Sequence, residues 1–325
     1  MLLNLQQQSD CSESEPLGSE SQPTREELGE VLCCWFDRVM LKLQVKQPDK
    51  PMELLTAALT LCSSFRFRPN HHLGPLIKAL RVHLPLANLR SFELILSGLS
   101  RVVIQDLALL TALRKRFYAL SSPKDSLPHY LWTMAIISGG NSDLIACQDY
   151  HKLKKTRPRP NHTDLSLVTA ANKLHHAQLY LQTKFALSPA WQKLLNRGLD
   201  LAAHKRPQLN GFERGVLEIL RKLGFNCHAQ KFFQGYWIDI EVKSSGRKLA
   251  VECYGDQFHF VENRNGQSPD GRTRMREKIL HLGGFEVVRI LASEYGFSRS
   301  GQYSYVEDQI QKTLSRPVFS RPVYR

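Results

Sequence analysis

At 325 residues, with 42% hydrophobic and 23% charged positions, the chain has room for two ordinary domains or one domain plus a helical array. Its 44 Lys and Arg against 30 Asp and Glu give a net charge of +14, the balance of a protein that meets a polyanion, either nucleic acid or an anionic membrane face. No apolar run reaches the ~18 residues of a transmembrane helix. The seven cysteines form no CxxC pair, which argues against a secreted disulfide scaffold or a structural zinc site and for a reducing, intracellular compartment.

Residues 1–24 carry four acids (Asp10, Glu13, Glu15 and Glu20) and no Lys or Arg. They read as a disordered acidic lead, without the basic start of a secretory signal or the arginines of a transit peptide. Residues 25–150 read as helical. Apolar residues recur at three- and four-residue steps, as in Leu54, Leu55, Ala58, Leu59 and Cys62, between breaks at Pro48–Pro51, Pro69, Pro85, Ser121–Pro123 and Gly139–Gly140. Similar segments begin at Leu54, Phe92 and Tyr130, 38 residues apart. That period suits a solenoid-like helical-repeat array, with an irregular helical bundle as the alternative.

Residues 151–205 read as a basic linker followed by helices. The stretch 151–200 holds nine bases against Asp164 and Asp200, and His151–Pro160 reads as an exposed basic loop. Residues 206–315 form a domain of different character, and 316–325 a tail. An amphipathic helix over 211–224 is followed by strands at Lys231–Phe233, Trp237–Val242 and Lys248–Tyr254. A basic helix at Arg272–Leu282 and a strand at Glu286–Leu291 complete an αβββαβ order. The expected fold class is α + α/β, a helical-repeat array followed by a small mixed-sheet domain.

Alternation along the second strand places Ile238, Ile240 and Val242 on one face and Asp239 and Glu241 on the other. On the next strand, Ala250, Glu252 and Tyr254 share a face. Asp239 and Glu252 thus stand to meet, and Glu213 on the preceding helix can approach the same point. Paired carboxylates can hold Mg²⁺, whose hard charge prefers oxygen ligands and contacts phosphate. On the basic helix, Arg272 with Arg276 and Arg274 with Lys278 are i,i+4 pairs, suited to phosphate beside a helix N-terminus. Phe232, Phe233, Tyr236 and Trp237 sit beside Lys231, where exposed rings would stack on unpaired bases; core packing is the alternative for Phe233 and Trp237. The adjacent pair His175–His176 points apart on a helix and makes a poor chelate. No phosphate loop, kinase signature or serine nucleophile elbow is present.

The run AVECYGDQFHF (Ala250–Phe260), preceded by WIDI (Trp237–Ile240) and followed by GRTRMREKILHLGGFEVVRI (Gly271–Ile290), resembles the RAP domain. That domain is similar to very-short-patch-repair-like endonucleases of the PD-(D/E)xK fold. The resemblance covers about residues 210–296. More loosely, the helical part resembles the repeats that precede RAP domains in FAST-kinase-domain and octotricopeptide-repeat proteins. It implies an RNA-binding protein of RNA processing, stability or translation, in a mitochondrion, a plastid or a bacterial cytoplasm, with single-stranded RNA as partner and no kinase activity. It matches Asp239 and Glu252 to the strand carboxylates, Glu213 to the helical acid and His259 to the histidine of the Gly-x-x-His-Phe segment. Lys231, Tyr236, Arg272, Arg274, Arg276 and Lys278 are the expected RNA contacts. Tyr254 stands where the nuclease pattern has Lys and the RAP pattern an acid. A tyrosine supplies neither the cationic charge that steadies a hydroxide nor a metal-binding charge. The alternatives are a nuclease using Asp239 and Glu252 with Mg²⁺, and a protein-interaction adaptor whose array holds a protein partner.

Overall fold

The computed structural model describes residues 25–44, 50–64, 73–102, 106–120, 126–141, 164–185, 187–255, 260–263, 266–296 and 298–316. The acidic lead, the His151–Pro160 loop, His259 and residues 317–325 lie outside the described residues. Among the described residues, eleven α-helices and six strands make a helical N-terminal region followed by a small mixed-sheet domain, the expected α + α/β arrangement.

The helical region contains α1 (Arg25–Gln44), α2 (Pro51–Ser64), α3 (Leu73–His83), α4 (Leu89–Val102), α5 (Leu107–Ala119), α6 (Leu127–Ile137), α7 (Asp164–Tyr180) and α8 (Pro189–His204). Short polar residues start several of them. Asp106 accepts the Leu109 N–H at 2.6 Å, and Ser188 accepts that of Trp191, each relieving an orphan donor in a first turn. Helices α2, α4 and α6 lie side by side, with α3 against α5 in a second layer. Spacings of 38 and 37 residues reappear as contacts. Arg101 Nη1 donates to the Ser63 carbonyl at 3.2 Å, and Thr133 Oγ1 to that of Leu96 at 3.4 Å. Gly98 lets α4 close on α2, since a Cβ there would lie 2.6 Å from Leu59 Cβ. Phe117 and Tyr130 stack at 4.0 Å within the core they share with Leu59, Ile95, Leu99 and Trp191.

The C-terminal domain starts with α9 (Gly211–Lys222), fixed by a capping box between Asn210 and Glu213. The sheet has the order β1-β2-β3-β6, built from Asn226–Phe233, Tyr236–Ser244, Arg247–Tyr254 and Phe285–Leu291. Its first three strands are antiparallel, and β3 pairs with β6 in parallel. A hairpin, β4 (Phe260–Asn263) with β5 (Gly266–Pro269), leads into α10 (Gly271–Leu282), and α11 (Arg299–Leu314) follows β6. That hairpin and α11 are additions to the αβββαβ order read from the sequence.

Helices α9 and α11 cover one face of the sheet, with Val216, Leu220, Val306 and Ile310 packed on Ile240, Val242, Leu249 and Val251. Helix α10 covers the other, with Leu280 on Ile238, Ala250 and Phe285. Ile238 is therefore a correction to simple alternation, because it packs opposite Ile240 and Val242. The β2–β3 ladder runs from Ser244↔Arg247 to Ile240↔Val251, and β2 departs from regular pairing just beyond Ile240. The far side of α10 carries Met275 and Ile279, which belong to the helical region's core. Helix α10 is thus a wedge between the two parts, apolar on both sides.

Candidate functional site

Where β2 leaves β3, Asp239 turns into the fork. Its Oδ2 accepts the Cys253 backbone N–H at 2.8 Å, replacing a ladder carbonyl. Burial holds its carboxyl above the usual range, against the pull of Arg276 and of that N–H. Glu252, on the next strand, is fully buried. Glu213 reaches the same region from α9 while capping its own helix: its Oε2 accepts from the Asn210 N–H at 3.1 Å and from Gln230 Nε2 at 3.3 Å. Burial and the Asp239 charge push Glu213 upward. The three carboxylates named from the sequence therefore do converge closely enough to act on one another.

A cation already stands among them. Arg276, projecting from α10, places Nη2 2.5 Å from Glu252 Oε2 and donates from the same nitrogen to the Trp237 carbonyl at 2.6 Å. Its guanidinium lies 5.5 Å from the centre of the Tyr236 ring. The charges of Glu252 and Asp239 hold Arg276 protonated against its burial. Two effects oppose one another at Glu252. Burial raises its carboxyl and Arg276 lowers it; burial is the larger, and the group is pushed up to about 8.

This donor set does not fit Mg²⁺. The ion takes charged oxygens in a near-octahedral shell, whereas Glu252 is fully buried and its Oε2 is already paired with the Arg276 guanidinium. Asp239 Oδ2 is already committed to a backbone N–H. Tyr254, at the position of the nuclease lysine, is buried and donates to Glu277 Oε1 at 3.3 Å. Glu277 is in turn clamped by Arg289 through two bonds of 2.6 Å. No group of three His, Cys, Asp or Glu side chains among the described residues is placed to hold a metal.

The expected RNA contacts divide. Lys231 and Arg274 are exposed, the latter donating to the Pro269 carbonyl at 2.9 Å. Arg272, Arg276, Lys278 and Tyr236 make contacts within the molecule, because α10 is a wedge and not an outer helix. Arg272 lies over the Trp132 ring at 5.2 Å and donates to Ser100 Oγ at 3.3 Å. Lys278 lies over the Tyr180 ring at 4.5 Å. Tyr236 stacks on His176 at 3.8 Å. Trp237 donates its indole N–H to the Ala202 carbonyl at 3.1 Å, and Phe233 packs on Phe285.

Other residues at this junction gave no local signal. His175 and His176, weak as a chelate, both bind Gln234 in the β1–β2 turn. His175 Nε2 meets its side-chain oxygen at 2.7 Å and His176 Nε2 its backbone carbonyl at 2.9 Å. Beside them a cleft of about 410 Å³ opens between α4, α6, α7, β2 and α10, with Arg101, Trp132, Lys173, Arg272 and Arg276 on its walls.

Residues 212–310 match the family model REase_MTES_1575, a restriction-endonuclease-like domain. The match runs from α9 through most of α11 and includes Glu213, Asp239, Glu252 and Arg276. No curated protein matches the chain. No helix among the described residues is long and apolar enough to cross a membrane.

Proposed function

We propose that this chain binds single-stranded RNA and holds it without hydrolysis, its endonuclease-like C-terminal domain serving as a binding module. The observation that carries this reading is the Arg276 guanidinium beside Glu252 and Asp239, which places a protein cation among the carboxylates that a nuclease would offer to a metal. The net charge of +14 supports a polyanionic partner. So does an open groove between α3 and α5, where Lys78, Arg81, Lys115 and Arg116 face Asp106. Apolar Ile77, Val82 and Leu107 line the same groove, a mixture that suits a strand with splayed bases.

The salt dependence of binding tests this. The full chain should bind single-stranded RNA with a log–log slope near −0.7 for each phosphate neutralised. Replacing Lys78, Arg81 and Lys115 by Ala should flatten that slope by about 2. Binding with no salt dependence, or no binding, would overturn the reading in favour of a protein-interaction adaptor. A second reading, a metal-dependent nuclease, is favoured by the 212–310 match and by the meeting of Glu213, Asp239 and Glu252. It requires Arg276 to vacate the carboxylates when substrate arrives.

A further inference from the structure

We propose that the cleft between the helical region and the C-terminal domain is a phosphate-binding site, with the Lys173 ammonium and the Trp132 indole N–H as its principal donors. The cleft is a built site. Trp132 is 6% exposed, lines it, and has an Nε1–H with no hydrogen-bond partner among the described residues. A buried indole N–H ordinarily finds an acceptor. Lys173 lines the same wall, 5.4 Å from the Trp132 ring centre, with no ion pair among the described residues. Arg276 adds a third donor, its Nε, also buried and without a partner there. The same wall holds one acceptor without a donor among the described residues, Asn172 Oδ1, so the three donors outnumber it and call for an anion with several oxygens.

The electrostatics agree. Arg101 and Arg272 also line the cleft. Burial, then the Arg272 charge, push Lys173 down to about 8, and burial with both cations pushes neighbouring His129 down to about 3. Asp270, the one acid on the wall among the described residues, accepts the Thr273 N–H at 2.8 Å to cap α10, while Glu93, whose charge also reaches Lys173, accepts from the Ser126 hydroxyl. The cleft is therefore short of negative charge. A phosphate carries that charge and the acceptors the three donors lack. A volume of about 410 Å³ admits a phosphate with an attached sugar.

The phosphate can belong to a nucleic-acid strand or to a free nucleotide, and only the first source rests on the RNA-binding reading. The test measures the affinity of the full chain for a single-stranded RNA and for AMP, before and after Lys173→Met and, separately, Trp132→Phe. The second variant keeps the ring and removes only the N–H. Circular dichroism and thermal unfolding confirm that each variant is folded. The expected result is about tenfold weaker binding in each variant, the scale of one lost charge-assisted hydrogen bond. Weakening with RNA alone identifies a strand phosphate, and with AMP alone a nucleotide. If AMP binds through these residues while RNA does not bind at all, the site stands and the RNA reading fails. Unchanged affinities in the folded variants, or no binding of either compound by the unaltered chain, would overturn the site.

Discussion

Replacing Arg276 by Met is expected to lower the unfolding free energy by about 3 kcal/mol, the scale for removing one partner of a buried ion pair. The loss has three sources. Glu252, fully buried, loses the guanidinium paired with it, the Trp237 carbonyl loses its 2.6 Å donor, and Asp239 loses the charge that offsets its burial. The cost should grow above about pH 8, where Glu252 ionises beside Arg276 in the unaltered chain while the variant, lacking that pull, keeps the carboxyl protonated. Adding Glu252→Gln to the variant should restore a large part of the stability, since a neutral amide needs no guanidinium. Guanidinium-chloride unfolding of the four members of this cycle measures the coupling. A cost below about 1 kcal/mol for Arg276→Met would show that the pair does not hold the fork of β2 and β3 together.

Acid should release the helical region from the sheet domain. His176 is 5% exposed, stacked on Tyr236, and bound through Nε2 to the Gln234 carbonyl, so burial holds it neutral and pushes it down to about 3. The unfolded chain takes up this proton near 6.5. Stability is therefore present above about 6.5 and is lost as pH falls from there toward 3, at up to about 1.4 kcal/mol per unit. At pH 5 the loss from His176 alone is about 2 kcal/mol, and His129 acts in the same direction. Unfolding measured from pH 7 to pH 5 should show the decline, and His176→Phe, which keeps an aromatic ring on Tyr236, should make it shallower. An equally steep decline in that variant would place the acid sensitivity elsewhere.

The parts of this architecture legible in the sequence are those set by local pattern. The amphipathic α9, the β2–β3 pairing and the period joining α2, α4 and α6 follow from apolar spacing and short-range hydrogen bonding. The convergence of Asp239 and Glu252 was legible too, although by another route. Alternation predicts two carboxylates on one face, whereas Asp239 reaches its place because β2 departs from β3 beyond Ile240 and the side chain takes the Cys253 N–H. The basic helix was misplaced for a definite reason. Arg272, Arg276 and Lys278 look like a phosphate rake when α10 is given one apolar side. Met275 and Ile279 on one side and Leu280 on the other give it two, so its cations fall on buried acids and aromatic rings. The partners that decide this, Trp132, Lys173, His176 and Tyr180, lie some hundred residues earlier, and no periodicity connects them to α10.

The central claim, binding without hydrolysis, is tested most directly by one gel. Labelled single-stranded RNA is incubated with the full chain at neutral pH in Mg²⁺, and again in Mn²⁺, and read for both retained complex and shortened product. The account predicts a shifted band and no product above background, because Arg276 occupies the carboxylates and Tyr254 stands where the lysine of a nuclease would be. Metal-dependent product that disappears when Asp239→Asn and Glu252→Gln are combined would contradict it and establish a nuclease.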